Sequence, residues 1–347
     1  MSHQAPQKNP LPLVAITMGD PAGIGPEVLL KYAVSYSRSS PRAHRILAVA
    51  DGGILQETAE ALGTLLPLHR MTEFHEEDFR PNALNVLDLK NVEAGSVVVG
   101  RAGAASGKAA VECVRKATEL AMKGEVDAIV TAPISKEAIH LAGYPYPGHT
   151  ELLAELTKTK DFAMMMVGGK IQVVLATTHI PLNKVARAIT RKRVARTIRL
   201  AHRSLSFYQG FAPSIAVAAL NPHAGDGGVI GREEVEKIIP AIEECAGEGI
   251  QVSGPYPADS LFAKAKDGRF DAIIVMYHDQ GLIPVKMEGF GKGINVTLGL
   301  PIVRVSVDHG TALDIAGKGI ADPSSMEAAV EYAVEMAKRK AGGTEGG

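Results

Sequence analysis

The chain has 347 residues, with 37 Lys plus Arg against 38 Asp plus Glu and a formal net charge of -1. That balance excludes the basic excess that a nucleic-acid or anionic-membrane partner requires, and no apolar run approaches the ~18 residues of a membrane span. A hydrophobic fraction of 46% with only 5% aromatics describes a globular protein with little stacking surface, long enough for two lobes.

The opening MSHQAPQKNPLPL lacks the apolar segment of a secretory signal and is expected to be a loose tail. Val14 to Met18 reads as the first strand and runs into GDPAGIGPEVLLKYA. The glycine spacing of that loop is neither GxGxxG nor GxxxxGK[ST], which argues against a Rossmann or Walker site. Two readings stay open there: a strand-to-helix turn that packs closely, or a turn whose Asp20 faces a ligand. Ile46 to Ala50 is a second strand and Ile54 to Leu62 a helix, followed by a loop from Gly100 to Gly107 and a helix from Ala109 to Met122. Asp127 to Ile134 is a buried strand, and Ser135 is placed to cap a helix from Lys136 to Leu141. Gly148-His149-Thr150 precedes another helix, where His149 and Thr150 can meet an anion at the free N–H groups, or Thr150 can simply cap. Cys113 and Cys245 lie in amphipathic helical patterns without a CxxC, which suits burial in a reducing, cytoplasmic compartment.

Three apolar runs end in the same way. Ile171 to Ala176 is followed by Thr177-Thr178-His179, Ile215 to Leu220 by Asn221-Pro222-His223, and Ala272 to Met276 by Tyr277-His278-Asp279. Buried parallel strands gather chemistry at their carboxyl edge, where neutral imidazoles can converge on a divalent ion. Between these runs lie a basic helix from Arg191 to about Tyr208, a glycine-rich loop from Asn221 to Gly231, a helix from Glu233 to Ala246, and a helix begun by Asp259. Asp259 and Asp279 are two carboxylates that can serve one cation, or can cap and pair at the surface. Behind His278, Lys286, Asn295 and Arg304 supply a cation, an amide and a guanidinium across loops and a strand from Ile294 to Leu298, a set able to hold a phosphate or carboxylate. Asp308-His309-Gly310-Thr311 is a polar turn leading into a short helix from Ala312 to Ala316. The chain closes with a helix from Ser325 to Lys340 and a GGTEGG tail expected to be disordered.

The segments GDPAGIGPE, YPGHTELL, ATTHIPL, LNPHAGDGG, MYHDQGLIPVK and SVDHGTALDIAGKG, in this order from Val14 to about Met336, resemble the 4-hydroxythreonine-4-phosphate dehydrogenase family of vitamin B6 biosynthesis and its catabolic relatives. The resemblance implies an α/β, two-lobed, non-Rossmann fold like that of isocitrate and isopropylmalate dehydrogenases. Residues 1–135 with 296–347 would form one lobe and 136–295 the other, with the active site in the cleft of a homodimer. It implies His179, His223 and His278 as ligands of a divalent metal (Zn, Co, Mg or Mn) drawn from both subunits. His149, Thr150, Lys286, Asn295 and Arg304 would bind a small phosphorylated hydroxy acid, and Asp308, His309, Gly310 and Thr311 would border NAD or NADP. Asp259 and Asp279, or a partner lysine, are the candidates for the general base. The implied reaction is oxidation of the C3 hydroxyl of 4-phosphohydroxy-L-threonine to a β-keto acid that decarboxylates. Oxidation of D-threonate or D-erythronate 4-phosphate is the alternative, and a cofactor-free metallo-hydrolase or lyase a remote one.

Overall fold

A computed structural model describes residues 11–343; the expected loose N-terminal tail and most of GGTEGG lie outside the described residues. In chain order the elements are β1 (Leu13–Thr17), α1 (Gly25–Arg38), β2 (Arg45–Ala50), α2 (Gly52–Ala61), β3 (Leu68–Met71), β4 (Leu84–Asp88), α3 (Ala104–Lys123), β5 (Ala128–Thr131), α4 (Lys136–Leu141) and α5 (His149–Leu156). There follow β6 (Ala163–Gly168), β7 (Ile171–Leu175), α6 (Leu182–Ala188), α7 (Arg191–Gln209), β8 (Ile215–Ala218), α8 (Ile239–Gly247), β9 (Val252–Tyr256), α9 (Ala258–Ala265), β10 (Ala272–Val275), α10 (His278–Gly289), β11 (Ile294–Leu298), β12 (Val303–Val307) and α11 (Ser324–Gly343). The alternation of short apolar strands with amphipathic helices makes the protein α/β, as expected. No helix among the described residues is long and apolar enough to cross a membrane.

The chain divides into two units. The first runs to Thr157 and takes back Ile302–Val305 and His309–Lys338; the second holds Lys158–Pro301 and Ser306–Asp308. The division therefore falls at Thr157 and Pro301, where 135 and 295 were expected. Segment 136–157 stays with the first unit because α4 packs along α3 with almost no gap: a Cβ on Gly107 would lie 2.0 Å from the Ala138 carbonyl oxygen. Segment 296–301 stays with the second because β11 pairs antiparallel with β6 as far as Leu298 opposite Ala163.

In the first unit the strands lie in the order β3-β4-β2-β1-β5-β12. The pairs from β3 to β5 are parallel. β1, Leu-Val-Ala-Ile-Thr, is buried along its whole length, so its polar end, Thr17, is delivered inside the protein at the carboxyl edge. Ser135 caps α4 as expected, its side chain accepting from Ala138 N–H at 3.1 Å. α3 begins at Ala104, five residues before the apolar pattern suggests, and stops at Gly124 in the left-handed conformation (φ 72°).

In the second unit the order is β11-β6-β7-β10-β8-β9. β7, β10, β8 and β9 run parallel. β6 is antiparallel to both its neighbours. The carboxyl ends of β7, β10 and β8 thus stand side by side, and these are the strands that lead to His179, His278 and His223. Ile171, Val173, Leu175, Ala216, Ile273 and Val275 form the core beneath those ends. Two expectations are corrected here. The stretch behind His278 is not a loop but helix α10, with Lys286 in its last turn and Pro284 inside it. The segment Ala312 to Ala316 is a series of turns and not a helix, because Ala312 adopts a left-handed φ of 43° and Gly317 ends the segment before a nucleus can form.

Candidate active site

In the first unit, Arg304 is the second residue of β12 and is 1% exposed, the largest fully buried side chain among the described residues. Its guanidinium donates from Nη2 to Thr131 Oγ1, at the carboxyl end of β5, at 2.8 Å. Burial pushes the guanidinium down to about 9, with Glu151 acting in the opposite direction. His149 opens α5, whose N-cap is Gly148 with no side-chain cap, so Thr150 does not cap the helix and lies in its first turn. The His149 imidazole is held well below its ordinary value, first by burial and then by the charge of Arg304, while a hydrogen bond to the Ala132 backbone works against both. The ring is therefore neutral. In the tautomer that donates to Ala132, Nε2 presents its lone pair, and that buried atom has no hydrogen-bond partner. It is suited to accept from a hydroxyl.

The loop after β1 carries Asp20, fully buried, whose Oδ1 accepts from Ala22 N–H at 2.9 Å. Burial raises its pKa, opposed by hydrogen bonds from Ala22, Ser106 and Ser135. The same loop packs on the polar turn: Ile24 N–H donates to the Thr311 carbonyl at 3.0 Å, and a Cβ on Gly23 would lie 2.9 Å from Thr311 Cβ. The close-packing reading of the glycines holds here; they let the loop brace His309-Gly310-Thr311. His309 Nδ1 approaches the Gly310 carbonyl at 3.1 Å, and Gly310 is exposed.

A second neutral imidazole, the half-buried His44, is lowered to about 4 by burial and then by Lys338, and its Nε2 meets Tyr32 Oη at 2.8 Å. In the unfolded chain such rings titrate near 6.5. Below that pH the unfolded state takes up protons that the folded state refuses, so stability present above it is lost as the pH falls toward the folded value. The midpoint of thermal unfolding is expected to drop between about pH 7 and about pH 5, and a His44→Gln variant to flatten the drop. A midpoint constant over that range contradicts the burial of both rings as neutral groups.

In the second unit, the His179 and His278 rings lie with centroids 5.4 Å apart and planes 45° from each other. His278 is the first residue of α10, and its Nδ1 meets Asp279 Oδ1 at 2.7 Å. A carboxylate on one imidazole nitrogen fixes the tautomer that leaves the other nitrogen's lone pair for a metal. His223 lies in a different setting, exposed on a loop in which His223 through Gly227 all have positive φ (53°, 55°, 77°, 44° and 65°). Among the described residues, no group of three or more His, Cys, Asp or Glu side chains closes on one point. Of the three expected imidazoles, those of His179 and His278 lie together. Lys286 Nζ lies 3.4 Å from Asp308 Oδ2, and Asn295 on β11 keeps a buried Oδ1 without a hydrogen-bond partner. Asp259 is exposed in the first turn of α9, its Oδ1 accepting from Ser260 N–H at 2.9 Å. Pattern reasoning missed Thr131, although it stands at the polar end of an apolar strand, the same signal that marked the histidines.

A model of the family described as Pyridoxal phosphate biosynthetic protein PdxA matches residues 42–333. The 4-hydroxythreonine-4-phosphate dehydrogenase of Geobacter metallireducens is 44% identical over 336 residues, covering 96% of this chain and 98% of that one. The D-threonate 4-phosphate dehydrogenase of Cupriavidus necator is 44% identical over 333 residues, covering 95% and 99%. The crystal structure of 4-hydroxythreonine-4-phosphate dehydrogenase from Klebsiella pneumoniae superposes with a TM-score of 0.86 at 40% identity, covering 94% of this chain and 99% of that one. Fold and relatives together define an oxidoreductase, an α/β dehydrogenase without a Rossmann fingerprint. The chain belongs to the PdxA family.

Proposed function

We propose that the protein oxidises the C3 hydroxyl of a 4-phosphorylated four-carbon acid, 4-phosphohydroxy-L-threonine, with NAD or NADP as acceptor and a divalent cation as Lewis acid, giving a β-keto acid that loses its carboxylate. The observation that carries this reading is the pairing of His179 and His278 at adjacent strand ends, with Asp279 Oδ1 2.7 Å from His278 Nδ1, a contact that would favour the metal-binding tautomer. Two imidazoles so arranged fit a divalent ion as part of a donor set, with His223 completing it from a second copy of the chain. Exposed Ile283, Met287 and Phe290 along α10 support a homodimer, since a second copy would remove that apolar surface from water.

When bound, the cation polarises the alcohol oxygen and the nicotinamide takes the hydride. The residues of the chain do the rest. Arg304 holds the phosphate by charge-assisted hydrogen bonds, and binding energy at that remote end orients C3; Lys286 is the other candidate for that role. His149 Nε2 accepts from a substrate hydroxyl, Thr150 offers a second hydroxyl contact, and Asn295 Oδ1 accepts from the group on C2. His309, Gly310 and Thr311, braced by the Gly23 loop, border the nucleotide with Asp308. Asp279 or Asp259 receives the alcohol proton. D-threonate 4-phosphate is the second reading, favoured by a relative of that name at the same 44% identity. Following NADH formation with each compound in turn tests both: turnover confined to the amino acid supports the first, turnover confined to the sugar acid the second. Silence with both would overturn the proposal.

A further inference from the structure

The strand ends that lead to the three histidines are joined by side chains as well as by the sheet. Thr177, 3% exposed just past β7, donates from Oγ1 to the Met276 carbonyl at 2.6 Å. Met276 N–H donates to Gln280 Oε1 at 2.7 Å, and Gln280 Nε2 donates to the Ala219 carbonyl at 2.6 Å. A continuous relay therefore crosses from β7 through β10 to β8 within one chain. Beyond Ala219 the N–H groups of Leu220 and Asn221 converge on Glu234 Oε1 at 2.8 and 2.7 Å, and Asn221 Nδ2 reaches Glu234 Oε2 at 2.8 Å. Glu234 is fully buried and opens a π-helical turn, Glu234–Ile238. Its carboxylate lies against Gly225, where a Cβ would come within 2.7 Å of Oε2. This clamp holds the loop in which His223, Ala224 and Asp226 keep left-handed φ without being glycine, a conformation that persists only where its surroundings impose it.

We propose that Gln280 is a positioning residue, which fixes, with Thr177 on one side and Glu234 on the other, how each chain presents His179 and His278 to one divalent cation and His223 to the cation of a second copy. The inference rests on the metal reading above. An amide is required at this position, because one atom must accept from the Met276 N–H while its neighbour donates to the Ala219 carbonyl. A carboxylate would set an oxygen against that carbonyl, and a thioether would make neither bond. Gln280 also lies two residues beyond His278 at the start of α10, so the same side chain that ties β10 to β8 anchors the turn that aims His278. None of these groups touches the cation; each acts through the backbone that carries an imidazole.

The test is the affinity for Zn²⁺ alone, by competition with a chromophoric chelator, for the full-length wild type, Gln280→Met, Thr177→Val, Thr177→Ser and His223→Ala. The thermal midpoints of the metal-free proteins are measured beside it. Gln280→Met and Thr177→Val are expected to bind zinc roughly 10–100-fold more weakly, the range found when a partner behind a ligand is removed. Thr177→Ser, which keeps the hydroxyl, should restore wild-type affinity. If Gln280→Met binds zinc as tightly as wild type and only its metal-free midpoint falls, the relay is merely structural and the inference is overturned. Should Gln280→Met fail to fold, the Thr177→Val and Thr177→Ser pair decides by the same criterion. Zinc bound equally well by His223→Ala would sink the metal reading itself, and this inference with it.

Discussion

A His223→Ala enzyme is expected to lose turnover by roughly 10³-fold or more while keeping its fold, because several kcal/mol of Lewis-acid stabilisation is at stake and each ~1.4 kcal/mol is tenfold in rate. The fold should survive because His223 is exposed and touches no core, and its loop is held from behind by Glu234 and not by the imidazole. Alanine occupies the left-handed conformation already at the next position, Ala224, with φ 55°. The effect is therefore chemical, and it should appear together as lost zinc and lost kcat, with an unchanged circular-dichroism spectrum. Wild-type rate and wild-type metal content in this variant would remove His223 from the site.

The second large effect is expected at Arg304, with activity and stability moving in opposite directions. A guanidinium that burial depresses to about 9 is an unfavourable occupant of a core strand, and the proposed phosphate contact is what would offset that cost. Arg304→Met keeps most of the volume and removes the charge. Two charge-assisted hydrogen bonds to phosphate, about 1.5–3 kcal/mol each, correspond to a fall in kcat/KM of roughly 10²–10⁴-fold. The thermal midpoint should hold or rise, as when a buried charge gives way to an apolar side chain of similar size. An unchanged kcat/KM for the phosphorylated substrate would place the phosphate elsewhere.

Much of the fold was legible because buried parallel strands are written as short apolar, β-branched runs. Ile171 to Ala176, Ile215 to Leu220 and Ala272 to Met276 match β7, β8 and β10 closely, and their shared histidine endings marked the candidate site. Several of the elements that went unread have a pattern broken by function or by long-range packing. β12 carries Arg304 and Ser306 among its valines, and β9 contains Gly254 and Pro255, so neither shows an apolar run. α10 begins on the polar His278-Asp279 pair and includes Pro284, and only the core beneath Gln280, Leu282 and Val285 makes it a helix. The unit boundary at Thr157 follows from α4 lying on α3, a contact between segments about thirty residues apart that no local periodicity records. At the site, residue types were legible but their states were not. That His149 is neutral follows from burial beside Arg304, and that Gln280 and Glu234 frame the histidines follows from pairings of 61 and 14 residues' separation.

On the proposed function, a divalent cation held by imidazoles makes this dehydrogenase work. The most direct measurement is NADH formation with 4-phosphohydroxy-L-threonine and with D-threonate 4-phosphate by enzyme stripped with a chelator, dialysed, and titrated with zinc or cobalt. The predicted result is silence from the stripped enzyme and recovery that saturates at one equivalent of metal per chain. Full turnover by the stripped enzyme, unmoved by added metal, would contradict it.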